Sequence, residues 1–282
     1  MKGFKGFLKA MMAAAMSVTM TLTAFGGGGI GSPCTVYAAT DTVVDTGQCG
    51  DALTYTVTGD EESGYAMAIT GTGDMNNYGL DEWAAPWRDY NFKSISIGDG
   101  VTSIGDYAFV LNGNKVKLTI GKKVKSIGEC AFLQTGITGT LTIPASVQTI
   151  GESAFEETAI TKLVLGKGIK ELGNDAFCDT PSLKSVDASK AKALETIGGR
   201  CFAGDEELNT IKINANKLKT VGSHSLDIDS LDIEKTQTLK ITVIAKSKNK
   251  YNKAVTLINK GRNSYSGGNV YLTEFKFSYK KG

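Results

Sequence analysis

The chain has 282 residues, of which 41% are hydrophobic and 21% charged, and its formal net charge is +2. That length supports one elongated domain with a large core, and the near-neutral balance gives no bulk-charge case for nucleic-acid binding. The five cysteines match no zinc spacing, and nothing in the composition implies a metal or an organic cofactor.

At the start, Lys2, Lys5 and Lys9 precede a mostly apolar stretch, 10–25, and Val36-Tyr37-Ala38 fits a small-residue cleavage site. Residues 1–39 therefore read as a secretory signal, with the mature chain beginning at Ala39 or Thr40. A membrane anchor is the alternative, although the stretch is short for a span. Cys34 raises a lipoprotein reading, against which Pro33 stands directly before it. No second long apolar stretch or C-terminal sorting motif follows. The expected location is secreted or extracellular, with wall association as a variant and no membrane contact after cleavage.

Residues 40–93 read as a β-rich N-terminal cap, with strand-like stretches at Leu53–Thr58 and Tyr65–Ile69. Trp83 and Trp87 flank Pro86. Paired tryptophans form either a carbohydrate platform or part of a cap core.

The middle of the chain, 94–245, is repetitive. The phrase Ser103-Ile104-Gly105-Asp106-Tyr107-Ala108-Phe109 returns as SIGECAF (126–132), TIGESAF (149–155), ELGNDAF (171–177), TIGGRCF (196–202) and TVGSHSL (220–226). Steps of 23, 23, 22, 25 and 24 residues separate the closing positions. A period in the twenties with fixed apolar positions is the mark of a stacked-coil solenoid, here of about six right-handed coils. Ahead of each phrase an apolar-variable-apolar triplet predicts a short strand with its middle residue outward. The outward residues, Ser96, Thr119, Thr142, Val164, Asp187 and Lys212, form one exposed column, the candidate binding face. Phe109, Phe132, Phe155, Phe177 and Phe202 are expected to stack as a core ladder, with Leu226 replacing the ring in the last copy. The glycine at 105, 128, 151, 173, 198 and 222 suits a tight corner with positive φ.

The tail, 246–282, reads as a basic α/β C-terminal cap. A strand is expected over Leu239–Ile244 after an irregular insertion at 227–238, then a helix over Lys246–Asn259 and a strand over Val270–Phe277. Charge is unevenly placed. Without the three leader lysines the chain is −1, divided as −8 over 40–93, −3 over 94–234 and +10 over 235–282. An acidic head and a basic tail serve solubility, attract an anionic wall polymer to the tail, or drive head-to-tail association.

Chemistry is sparse, and no catalytic residue is assigned. The single histidine, His224, sits in the most degenerate repeat. Glu152, Glu156 and Glu157 offer carboxylates for glycoside hydrolysis, with solvated surface acids as the alternative. Cys201 takes the small core slot held elsewhere by Ala, whereas a Cys178–Cys201 disulfide is the competing arrangement.

The segments LTIGKKVKSIGECAF (118–132), LTIPASVQTIGESAF (141–155) and LVLGKGIKELGNDAF (163–177) resemble the BspA-like leucine-rich repeats of bacterial surface antigens. Gly47-Gln48-Cys49-Gly50-Asp51, Ile69 to Met75, and Pro86-Trp87 resemble the β-rich unit that precedes such repeats. The likeness covers about 45 to 245. It implies a mostly β leucine-rich-repeat solenoid in a secreted or surface-exposed, non-enzymatic protein. Three functions compete: binding of a protein or glycan on a host or bacterial surface, structural association with the wall through the basic tail, and glycan hydrolysis.

Overall fold

The computed structural model describes residues 42–113, 115–228, 238–262 and 274–282. The expected leader at 1–39, most of the insertion at 227–238 and the first residues of the expected Val270–Phe277 strand lie outside them.

The repeats wind into stacked coils, each supplying one strand to a broad face and one to a narrow corner. The broad face holds two sheets. One is five-stranded, in the order Val43–Gly50, Leu53–Asp60, Gly64–Gly71, Phe92–Ile97 and Lys117–Thr119. The other is six-stranded and runs from Thr138–Thr142 through Ala159–Val164, Ser185–Ala188, Thr210–Asn214 and Thr238–Ala245 to Glu274–Lys281. A single parallel bridge, Val116 to Ile137, joins them. The corner is a seven-stranded parallel ribbon from Gly73–Asp74 to Thr220–Val221.

The acidic head is continuous with this pattern. Its first two strands are antiparallel hairpin partners, but Gly64–Gly71 runs parallel to Phe92–Ile97, and Gly73–Asp74 pairs with Val101–Ile104. The strands Val43–Gly50 and Gly73–Asp74 are the two of the head that the pattern does not signal: the first has no clear alternation and the second is two residues long.

A ring column runs through the core. Phe109, Phe132, Phe155, Phe177 and Phe202 stack with centroids 5.1–5.6 Å apart and interplanar angles of 1–10°. Trp87 opens the column, 5.6 Å from Phe109. It is fully buried against Tyr55 and Tyr78, and its indole N–H donates to the Ala108 carbonyl at 2.8 Å. The tryptophan pair is therefore no platform: Trp87 is core, and Trp83 is 74% exposed.

The repeat glycines act differently from the expectation. None of Gly105, Gly128, Gly151, Gly173, Gly198 and Gly222 has positive φ. A Cβ on any of them would lie 1.9–2.7 Å from an atom of the preceding coil, as at Gly151, 2.7 Å from backbone of Gly128 and Glu129. Close approach of coil to coil selects glycine there. The left-handed turn falls two residues later, on Tyr107, Cys130, Ser153, Asp175, Arg200 and His224, at φ 49–57°. There each N–H donates to a carbonyl of the next coil, from Tyr107 to Glu129 through Arg200 to Ser223. The last, His224, has no further coil to meet. It donates to Gly261 O at 2.7 Å, at the end of the helix Lys248–Arg262, which takes the place of the next turn.

A buried polar column lies three residues after each ring: Asn112, Thr135, Thr158, Thr180 and Asp205. The threonine hydroxyls donate to ring-residue carbonyls, Thr158 to Phe155 and Thr180 to Phe177, each at 3.0 Å. Asp205 Oδ1 accepts the Thr180 N–H at 2.8 Å, while Oδ2 has no hydrogen-bond partner among the described residues. Burial raises the Asp205 pKa well above the carboxylate range, against the Thr180 hydrogen bond and with help from Asp179.

Three stability predictions follow from these columns. Phe155→Ala should cost about 3–5 kcal/mol in denaturant unfolding, since neighbouring rings hold the void open. Gly151→Ala should cost about 1–3 kcal/mol through forced separation of the coils, and an unchanged midpoint would sink the close-approach account. Asp205 binds its proton in the folded state at pH values where the unfolded chain has lost it, so stability falls as pH rises from about 4 toward the folded pKa. Asp205→Asn should be more stable than the parent at neutral pH, with a gap in urea titrations that widens as pH rises above about 4.

Candidate binding face

Alternation along each strand sends one set of side chains into the core and the other outward. Ser96, Thr119, Thr142 and Lys212 are exposed, and Val164 and Asp187 are half-buried. Parallel register aligns them across strands. Ser96 partners Thr119, and Thr142, Val164, Asp187 and Lys212 are successive partners in a line that continues to Thr242 and Ser278.

A second outward line lies beside it, which the triplet pattern does not reveal. Ser94 partners Lys117, and Thr140, Lys162, Ser185, Thr210, Lys240 and Lys276 follow in register. The signal was present two residues ahead of each column member, in the same alternation, but outside the apolar core of the triplet. Together the lines carry five lysines, Lys117, Lys162, Lys212, Lys240 and Lys276, against one acid, Asp187. The remainder are mostly Ser and Thr. Strands about 4.8 Å apart make this a ruled surface of hydroxyl and ammonium donors. Burial works against the Asp187 carboxylate, but hydrogen bonds from Ser189 and the charges of Lys212 and Lys162 outweigh it and hold its pKa below the ordinary value.

The other candidates lie elsewhere. Glu152, Glu156 and Glu157 belong to the turns around Phe155, and Glu157 accepts a hydrogen bond from Gln134 at 2.9 Å. Cys178 and Cys201 are unbonded, which overturns the disulfide arrangement. Cys178 Sγ instead contacts Asp179 Oδ2 and the Arg200 guanidinium, each at 3.4 Å, and burial pushes its thiol up to about 12. Arg200 also pairs with Asp175 at 2.7 Å, which joins neighbouring coils. Glu156, Cys178 and Asp179 bring potential ligand atoms within 4.8 Å of one another, with the Arg200 cation already on the thiol. His224 Nδ1 lies 2.5 Å from Asp227 Oδ2.

Part of the basic tail is engaged in packing. Lys250 Nζ donates to Asn216 O at 2.9 Å, and Lys248 sits over the Tyr251 ring at 3.9 Å. Lys253, Lys260, Lys280 and Lys281 are exposed. Among the described residues no helix is long and apolar enough to cross a membrane.

The family model for the BspA type leucine-rich repeat region matches residues 87–191 and 135–256, in six copies. The chain belongs to this family. The matched region begins at Trp87, the residue that opens the ring column. Among solved structures, a leucine-rich repeat protein from Eubacterium ventriosum is 18% identical, with a TM-score of 0.41 over 72% of this chain and 73% of that one. One from Bacteroides ovatus is also 18% identical, with a TM-score of 0.45 over 71% of this chain and 61% of that one. A leucine-rich cell surface protein from Faecalibacterium prausnitzii is 13% identical, with a TM-score of 0.23 over 74% and 97%. No curated protein is significantly similar to the chain.

Proposed function

We propose that this BspA type repeat protein is a surface-exposed or secreted binding protein, without catalysis, that engages a protein or glycan on a host or bacterial surface through its strand face. The observation that carries this reading is the pair of outward lines with five lysines and one acid. Such a face suits a ligand that presents carboxylates or sulfates together with hydroxyls: the ammonium groups attract the anions, and Ser and Thr hydroxyls both donate and accept. Its regular spacing favours an extended partner over a compact small molecule. The outward side chains of the face are mostly in solvent, which fits recognition better than water-excluding chemistry.

A second reading rests on the exposed tail lysines, Lys253, Lys260, Lys280 and Lys281. They would hold the protein on an anionic wall polymer by salt-sensitive attraction.

One comparison separates the two. The protein is arrayed against matrix proteins, glycosaminoglycans and purified cell wall, alongside a Lys162→Glu, Lys212→Glu, Lys240→Glu variant and a variant with the four tail lysines changed to Gln. The strand-face reading expects a saturable ligand whose affinity drops about tenfold or more in the first variant. The tail reading expects wall retention that falls with salt and only in the second. A ligand bound equally by the parent and the strand-face variant would refute the strand-face assignment.

A further inference from the structure

The loop 79–91 gathers features that the repeat pattern does not require. Among the described residues, five large hydrophobic side chains are exposed; Leu80 (57%) and Leu111 (63%) share the wall of one cavity, and Trp83 (74%) lies three residues after Leu80 in the loop. Leu111 is out of character for its position. The equivalent residues of the next four coils are Gln134, Glu157, Asp179 and Gly204, all in the same left-handed conformation and all polar or glycine, and the last coil has the buried Ile228 there. In this coil alone the position carries an apolar side chain into solvent.

Two cavities adjoin the loop. One, of about 110 Å³, has Leu80, Ala84, Arg88, Asp89 and Leu111 in its wall. The other, of about 310 Å³, is lined by Glu61, Gly64, Tyr65, Asp89, Tyr90 and Asn91. Asp89 lies in both walls, so the cavities are neighbours. In the larger one, the Tyr65 and Tyr90 rings meet edge to face at 4.9 Å. Two carboxylates accompany two electron-rich rings, the arrangement that favours an organic cation. Neither Glu61 nor Asp89 forms a salt bridge among the described residues. Two chain cations border the site: Lys93, whose stem runs past Gly64, and Arg88, in the wall of the smaller cavity. Residues 42–93 as a whole carry nine acidic and two basic side chains.

We propose that this loop is a docking site for a polypeptide segment of a partner protein that carries a lysine or arginine beside an apolar side chain. The cation enters the larger cavity with Tyr65, Tyr90, Glu61 and Asp89. The apolar side chain covers Leu80 and Leu111 at the smaller one, with Trp83 at the rim. Charge complementarity selects the partner: the surrounding acids repel an anionic segment. The site is distinct from the strand face, whose lysines call for the opposite charge.

The chain has two tryptophans, one sealed in the ring column and one exposed on this loop, so emission reports on the site. The full chain is titrated with acetyl-Lys-Leu-Lys-Leu-amide, acetyl-Glu-Leu-Glu-Leu-amide and maltotriose, and Trp83→Phe assigns the signal. The first peptide should give a saturable blue shift that is lost in Trp83→Phe. Its affinity should fall about tenfold in E61Q/D89N and about threefold or more in Leu111→Gln, with circular dichroism unchanged in both. An equal response to the glutamate peptide or to maltotriose overturns the proposal. So does the absence of a saturable shift, or equal affinity in the parent and both variants.

Discussion

The stacking of one coil on the next is the constraint that everything else in this molecule obeys. A single coil of 22–25 residues cannot enclose its own apolar stripe, so each coil owes its core to its neighbours. Three columns make the stack continuous: aromatic rings about 5 Å apart in the centre, glycines in backbone contact at the corner, and N–H groups donating forward at the left-handed turn. The ring column runs along the core among many buried Ile, Leu and Val side chains. The glycines set how closely coils approach, and the turn bonds satisfy backbone that strands alone leave open.

The ends show what that constraint demands when the repeat runs out. At the head, Trp87 provides a ring where no Ala-Phe step exists, and its polar N–H is satisfied by the Ala108 carbonyl of the next coil. At the tail, the helix Lys248–Arg262 supplies through Gly261 the carbonyl that a further coil would have offered. Ala254 and Ile258 of that helix are buried where it packs against the last coil, Lys250 ties it to Asn216, and Lys248 reaches the Tyr279 ring of the final strand. Part of the charge that makes the tail basic thus has a structural use, which narrows the set of lysines left to meet a partner.

Function is placed on what stacking leaves over. Parallel register turns every outward strand position into a line across coils, so isolated Ser, Thr and Lys residues become a surface with a common character. The loop 79–91 lies outside the strict repeat and is correspondingly free to expose Leu80 and Trp83. Its acids and the strand-face lysines give the molecule two surfaces of opposite electrostatic sign.

The ring column, the strand triplets and the family were legible from the chain, because each depends on a residue's own periodic position. Ile104 and Phe109 announce the coil without knowledge of any neighbour. What spacing alone could not decide was contact between residues a full coil apart. The repeat glycines looked like turn formers, yet the facing backbone is what excludes a side chain there. Trp87 stands 22 residues before Phe109, but a Pro in place of Ala hid it until packing put it in line. The second line of lysines, and the meeting of Leu111 with Leu80, likewise exist only once the winding sets which strands and turns lie side by side. Local pattern determines which way a side chain faces; the pitch of the stack determines what it faces.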